Sequence, residues 1–189
     1  MTERLILPLV SLALLASCGP ERLQSTPVMV GPPRTGSAPV ALSQGMMQQV
    51  LLAEHNAARA AVGVGSVAMD ESLNQQALAY AELLARTGTL AHSPREAREG
   101  QGENLWAGTA GAFDYRAMAR GWIDERRFYV HRAFPDVSST GDWRDVAHYT
   151  QAIWRGTTRM GCGAARGQGR DWLVCRYAAP GNVQGQMVY

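Results

Sequence analysis

The sequence predicts an α+β domain, several helices layered on a small antiparallel sheet. Helical stripes of apolar residues run through the middle of the chain, beginning at Val50 and again at Leu73. Two strand-like segments, Met160–Ala165 and Asp171–Tyr177, close it around a Gly/Arg turn. Helices followed by a terminal hairpin bury their apolar sides most simply as layers against that sheet. A length of 189 residues allows one ordinary domain with appendages, and 46% hydrophobic with 18% charged residues is a soluble globular composition. The net charge of +2 is too small to argue for a nucleic-acid partner or an acidic substrate, and no nucleic acid is expected.

The first eighteen residues, MTERLILPLVSLALLASC, read as a lipoprotein signal peptide. Arg4 supplies the positive start and Leu5–Leu15 an apolar core too short for a membrane span. Leu15-Ala16-Ser17-Cys18 is similar to a lipobox: small residues precede a cysteine whose thiol receives the diacylglyceryl group. Residues 1–17 are therefore expected to be removed, leaving Cys18 as a lipid anchor. Residues 18–42 contain Pro20, Pro27, Pro32, Pro33 and Pro39 with several Gly and Ser, show no periodicity, and read as a tether. The folded domain is expected over residues 43–189.

Within it, Val50, Leu51, Ala53, His55, Ala57, Ala58 and Val62 form the first helical stripe, ended by Gly63 and Gly65. Asp70 is the expected N-cap of a second helix, with Leu73, Ala77, Leu78, Ala81, Leu84 and Ala85 on its buried side and Gly88 as its stop. Residues 93–102 are polar and read as loop. A third helix is expected over about Tyr115–Val130, with Met118, Trp122, Glu125 and Tyr129 on one side, and a shorter fourth over about Val146–Trp154.

Six short motifs follow one another in order: His55-Asn56-x-x-Arg59, His92-Ser93, Gly102-Glu103-Asn104-Leu105, Trp122-x-x-Glu125-x-x-x-Tyr129, His148-Tyr149-Thr150-Gln151-x-x-Trp154, and Cys175-x-Tyr177-x-x-Pro180-Gly181-Asn182. Together they resemble the CAP (SCP-like) superfamily of cysteine-rich secretory proteins, venom antigens and plant pathogenesis-related proteins. Val62-Gly63-Val64 and the terminal Gly185-Gln186-x-x-Tyr189 are similar to the plant branch. The resemblance implies a three-layer α-β-α sandwich with a small, mainly antiparallel central sheet and a cleft on one side.

It also implies that His92, Glu103, Glu125 and His148 converge on the floor of that cleft. Two imidazoles and two carboxylates suit a divalent ion such as Zn²⁺, and equally a hydrogen-bonded cluster that needs no metal. No cofactor is required. His55, Asn56 and Arg59 are expected to lock the first helix to the sandwich, and Trp122 and Tyr177 to be buried. Gly181 and Asn182 are expected to form a tight turn with positive φ, and His131 to lie on the surface. Export leaves Cys162 and Cys175 as an even pair on the terminal hairpin, where the plant branch also has cysteines, so a disulfide is expected, two buried thiols being the alternative.

These features favour an exported, membrane-anchored, monomeric binding module for a lipid, peptide or envelope ligand. The alternative is a metal-assisted hydrolase or peptidase with Glu103 or Glu125 as general base. No Gly-x-Ser-x-Gly elbow and no unallotted cysteine supports a nucleophile.

Overall fold

The structure is a computed structural model that describes residues 28–29 and 42–189, apart from residue 99. Cys18, the apolar segment before it, and most of the tether lie outside the described residues. Among those described, no helix is long and apolar enough to cross a membrane.

Helix α1 (Gln44–Ala60) buries Met47, Leu51, His55, Ala58 and Arg59 on one side. Helix α2 (Glu71–Thr87) starts where the sequence places it: the Asp70 carboxylate accepts the Leu73 N–H at 3.0 Å, and Gly88 ends the helix in the left-handed conformation. Helix α3 is shorter than the apolar stripe suggests. It runs over Tyr115–Ile123, capped by Asp114, and gives way to a 3₁₀ turn over Asp124–Phe128. Glu125 therefore sits on the tighter turn instead of on the helix. Likewise α4 covers only Ala147–Ala152, after a 3₁₀ turn at Trp143–Val146.

Among the described residues five strands make the sheet: β1 (Val28–Met29), β2 (Ala68–Met69), β3 (Gly102–Thr109), β4 (Arg159–Gly167) and β5 (Arg170–Ala178), in the order β1-β3-β5-β4-β2. The three long strands are antiparallel, and each two-residue edge strand pairs parallel. β3 escaped the sequence reading because it has no alternation to read. Gly102 through Gly108 are all buried, as expected of a strand covered on both faces. β1 lies within the segment read as tether. Its pairing with Trp106–Ala107 occupies backbone groups that an open edge would leave unmet.

Strand alternation assigns the two faces. Leu105, Ala107, Trp172 and Val174 pack against Ala77, Ala81, Leu84 and Ala85 of α2. Trp106, Leu173, Cys175 and Tyr177 face Met47 and Leu51 of α1 and Met118, Ala119 and Trp122 of α3. The result is the expected α-β-α sandwich. α2 lies so close to β4 that a Cβ on Gly163 would fall 2.2 Å from the Leu78 backbone nitrogen. Beyond β2, the outer edge of β4 is closed by side-chain amides. Asn74 accepts from the Cys162 N–H, Gln48 donates to the Cys162 carbonyl, and Gln44 pairs with both backbone groups of Ala164. Cys162 and Cys175 stand opposite each other on β4 and β5 and are joined by a disulfide.

Candidate functional site

The first motif builds a scaffold. His55 Nδ1 lies 2.7 Å from the Leu51 carbonyl, which can only accept, so Nδ1 carries the proton. Nε2 then accepts the Tyr177 hydroxyl at 2.9 Å. Burial, the largest influence on this imidazole, holds its pKa down at about 4; the Leu51 carbonyl opposes that shift and the Arg59 charge adds to it. Asn56 exchanges two hydrogen bonds with the Val67 backbone, at 3.1 and 2.8 Å. Arg59, 1% exposed, donates to the carbonyls of Gly65, Ala152, Trp154 and Thr157.

The four residues expected in the cleft come together as two His–Glu pairs. His92 Nδ1 is 2.7 Å from Glu103 Oε1, and both Glu103 oxygens are engaged further. Ser93 donates its N–H to Oε1 at 3.0 Å and its hydroxyl to Oε2 at 2.8 Å. Arg176 Nε lies 3.1 Å from Oε2, at ion-pair distance but too poorly aligned for a hydrogen bond. Burial alone would raise the Glu103 carboxyl, but His92, Arg176 and Ser93 outweigh it and hold the pKa below the usual value.

In the second pair, His148 Nδ1 is 2.6 Å from Glu125 Oε1, and Glu125 Oε2 accepts the N–H groups of His148 and Tyr149, both at 3.0 Å. The Trp122 ring stacks on the His148 ring at 15° and 6.2 Å. Asn104 donates to the His148 carbonyl and to the Tyr177 hydroxyl, each at 3.1 Å. The Asn104 and Tyr177 side chains thus tie the His148 peptide back to His55.

Glu103 and Asn104 are neighbours on a strand, so the pairs approach the end of the sheet from its two sides. Each carboxylate is committed to Nδ1 of its own imidazole. Among the described residues, no three His, Cys, Asp or Glu side chains stand together so as to hold an ion. His148 Nε2 is a buried ring nitrogen with no hydrogen-bond partner among the described residues. One such atom falls short of the four-ligand set of a closed zinc centre.

Tyr149, whose N–H Glu125 accepts, belongs to a cluster of four rings. Tyr129 packs against Tyr149 at 5.5 Å and Tyr189 at 6.0 Å, and His131 against Tyr189 at 4.4 Å. His131 is exposed, as expected, while Tyr129 and Tyr189 are half-buried. An open concavity of about 310 Å³ lies at the β4–β5 turn, walled by Glu82, Arg86, Arg166 and Gln168, and no residue expected in the cleft lines it.

Gly181 requires a correction: its φ is not positive. It is glycine because a Cβ there would press on the Trp154 ring at 3.0 Å. Asn182 does adopt the left-handed conformation, at φ 56°, and its amide joins Ala147 and Thr150 of α4. Sequence reading passed over Arg98 and Arg176. The available signal was an arginine inside the buried run Leu173–Tyr177, where a cation needs a partner.

A family model described as "Cysteine-rich secretory protein family" (CAP) matches residues 52–177. Pathogenesis-related leaf protein 6 of Solanum lycopersicum is 39% identical over 142 residues, covering 75% of this chain and 82% of that protein. A PR-1 type pathogenesis-related protein of Sambucus nigra is 38% identical over 138 residues, covering 71% and 77%. The solved structure described as NaASP2 with Zn²⁺ superposes with a TM-score of 0.66 at 23% identity, over 82% of this chain and 90% of that one. That likeness bears on the fold alone.

Proposed function

The chain belongs to the CAP, or cysteine-rich secretory protein, family, and from that premise we propose that it is an exported binding module. A lipid at Cys18 holds it to a membrane as a monomer. The observation that carries the binding reading is the partly exposed ring cluster of Tyr129, His131 and Tyr189, packed on the ring of buried Tyr149, whose own N–H is held by Glu125. Aromatic bodies with polar tips suit an amphipathic lipid or peptide, giving apolar contact at low entropic cost and a few hydrogen bonds for orientation.

The carboxylates favour binding over hydrolysis. A general base needs a lone pair turned toward substrate. Glu103 has no side-chain exposure and is filled by His92, Ser93 and Arg176. Glu125 is taken up by His148 and by two N–H groups of α4. Export is supported by the disulfide, which persists in oxidising compartments. Purifying the full chain from its native membrane and analysing bound small molecules by mass spectrometry tests the reading. A lipid or peptide retained intact supports a binding module, and recovery of cleaved products alone would favour a hydrolase.

A further inference from the structure

We propose that strand β1 turns one end of the domain toward the membrane, making the surface around α4 the face that meets the bilayer. The antiparallel strands give the sheet two ends, with Gly102, Met160 and Tyr177 at one and Thr109, Gly167 and Arg170 at the other. α4 lies at the Gly102 end. Asn104 donates to the His148 carbonyl, and the Gln151 side chain covers Gly102 so closely that a Cβ there would fall 2.1 Å from Gln151 Oε1. Helix α1 starts toward the other end, where Gln44 pairs with Ala164, and reaches Tyr177 only at His55. A tether running straight into α1 would therefore suspend the domain from its Thr109 end, with α4 away from the lipid. β1 reverses this. It pairs parallel to β3, Val28 beside Trp106 and Met29 beside Ala107, so the chain enters it from the Gly102 side.

β1 is held by more than its pairing. Val28 packs on the core cluster formed by α1, α3 and the sheet. Gly121 of α3 leaves room there: a Cβ would stand 3.2 Å from Trp106 Cδ1 and 3.8 Å from Val28 Cγ1. The lengths then decide the orientation. From Cys18 to Val28 is ten residues, about 35 Å at full extension, whereas from Cys18 to Gln44 is 26 residues, about 90 Å. A domain of this size is about 40 Å across. The longer leash would let it turn freely, and the shorter one cannot bring its far end round to the bilayer. The rings of Tyr129, Tyr149 and Tyr189 suit such a face, since tyrosine favours a boundary that is apolar on one side and wet on the other. The inference rests on the lipid anchor at Cys18, and whether the rings retain a ligand does not enter it.

Energy transfer from a donor dye on the lipidated chain to acceptor lipids in phosphatidylcholine vesicles tests it. With Cys18 lipidated and Cys162 joined to Cys175, an introduced cysteine is the single labelling position. Thr158→Cys labels the Gly102 end and Arg86→Cys the other, both at exposed positions roughly 30 Å apart along β4. Transfer at position 158 is expected to be at least twice that at position 86. Fifteen Gly/Ser residues inserted between Pro27 and Val28 should remove most of that difference, and the same insert between Gly36 and Ser37 should leave it. Equal or reversed transfer with the natural tether, or equal effects of the two inserts, would overturn the role of β1. A chain that does not join the vesicles at all contradicts the anchor itself, and the orientation falls with it.

Discussion

Glu125 and Arg59 close the two ends of one short helix, α4. Glu125 accepts the N–H groups of His148 and Tyr149 in its first turn, and Arg59 donates to the carbonyls of Ala152 and Trp154 at its far end. A helix of six residues is marginal by itself and leaves its terminal polar groups unmet. An acid at the N-terminus and a cation at the C-terminus supply partners and suit the helix dipole. Glu125 also positions the imidazole of His148, so a residue expected in the cleft serves the scaffold.

Arg59→Ala should lower stability by about 3 kcal/mol or more, because the three buried carbonyls of Ala152, Trp154 and Thr157 lose their donor at once. Arg59→Lys should recover only part of this, since an ammonium lacks the planar fork that reaches several carbonyls together. Urea unfolding of the three proteins measures it. An Ala variant within about 0.5 kcal/mol of wild type would show that the carbonyls find other partners.

His55 should make the fold acid-labile. Its folded pKa of about 4 lies below the unfolded value of 6.5, so the unfolded chain binds the extra proton between those limits. Stability should therefore fall as pH drops from 6.5 to 4, by about 3 kcal/mol in total. Glu103, with its lowered pKa, adds its own loss only below the ordinary carboxylate range. His55→Gln removes the titrating ring. Its stability should be lower at neutral pH but flatter across that window, and a slope equal to wild type's would assign the acid sensitivity elsewhere.

The Cys162–Cys175 bridge closes a separation of 13 residues. In the chain-entropy model a loop of that size is worth about 3 kcal/mol. Cys162→Ser/Cys175→Ser should unfold at correspondingly lower urea, and thiol titration of the unfolded, unreduced wild type should find no thiol from this pair. Two reactive thiols from Cys162 and Cys175 would mean that the bridge does not form in the cell.

Lipidation at Cys18 is checked by feeding cells a clickable fatty acid. Wild type should take up the label and partition with membranes, while Cys18→Ser should remain unlabelled. Unlabelled export of both at equal mass would remove the anchor from the account.

The parts of this fold that can be read from sequence are those with local causes. Asp70 and Gly88 bound α2 through caps reaching three or four residues, and the terminal hairpin shows its turn. Burial on both faces of β3 erases alternation, and the apolar stripe of α3 runs on into the 3₁₀ turn because it does not distinguish an α-helix from a following 3₁₀ turn. The pairing of His92 with Glu103 and of His148 with Glu125 is fixed by tertiary packing across 11 and 23 residues. No periodicity encodes such pairs, and only the ordered motifs pointed to them. Gly181 shows the same limit, since its constraint is the Trp154 ring and not its own backbone.

Binding through the cluster of Tyr129, His131, Tyr149 and Tyr189 is measured by ligand retention. Wild type and a His131→Ala/Tyr189→Ala variant, which alters one exposed ring and one half-buried terminal ring, are purified side by side from native membranes. Released small molecules are then quantified per mole of protein by mass spectrometry. A lipid or peptide is expected in near stoichiometric amounts in wild type, chemically intact, and at least tenfold less in the variant at unchanged circular dichroism. Equal retention by both proteins, or nothing above background in wild type, would contradict it.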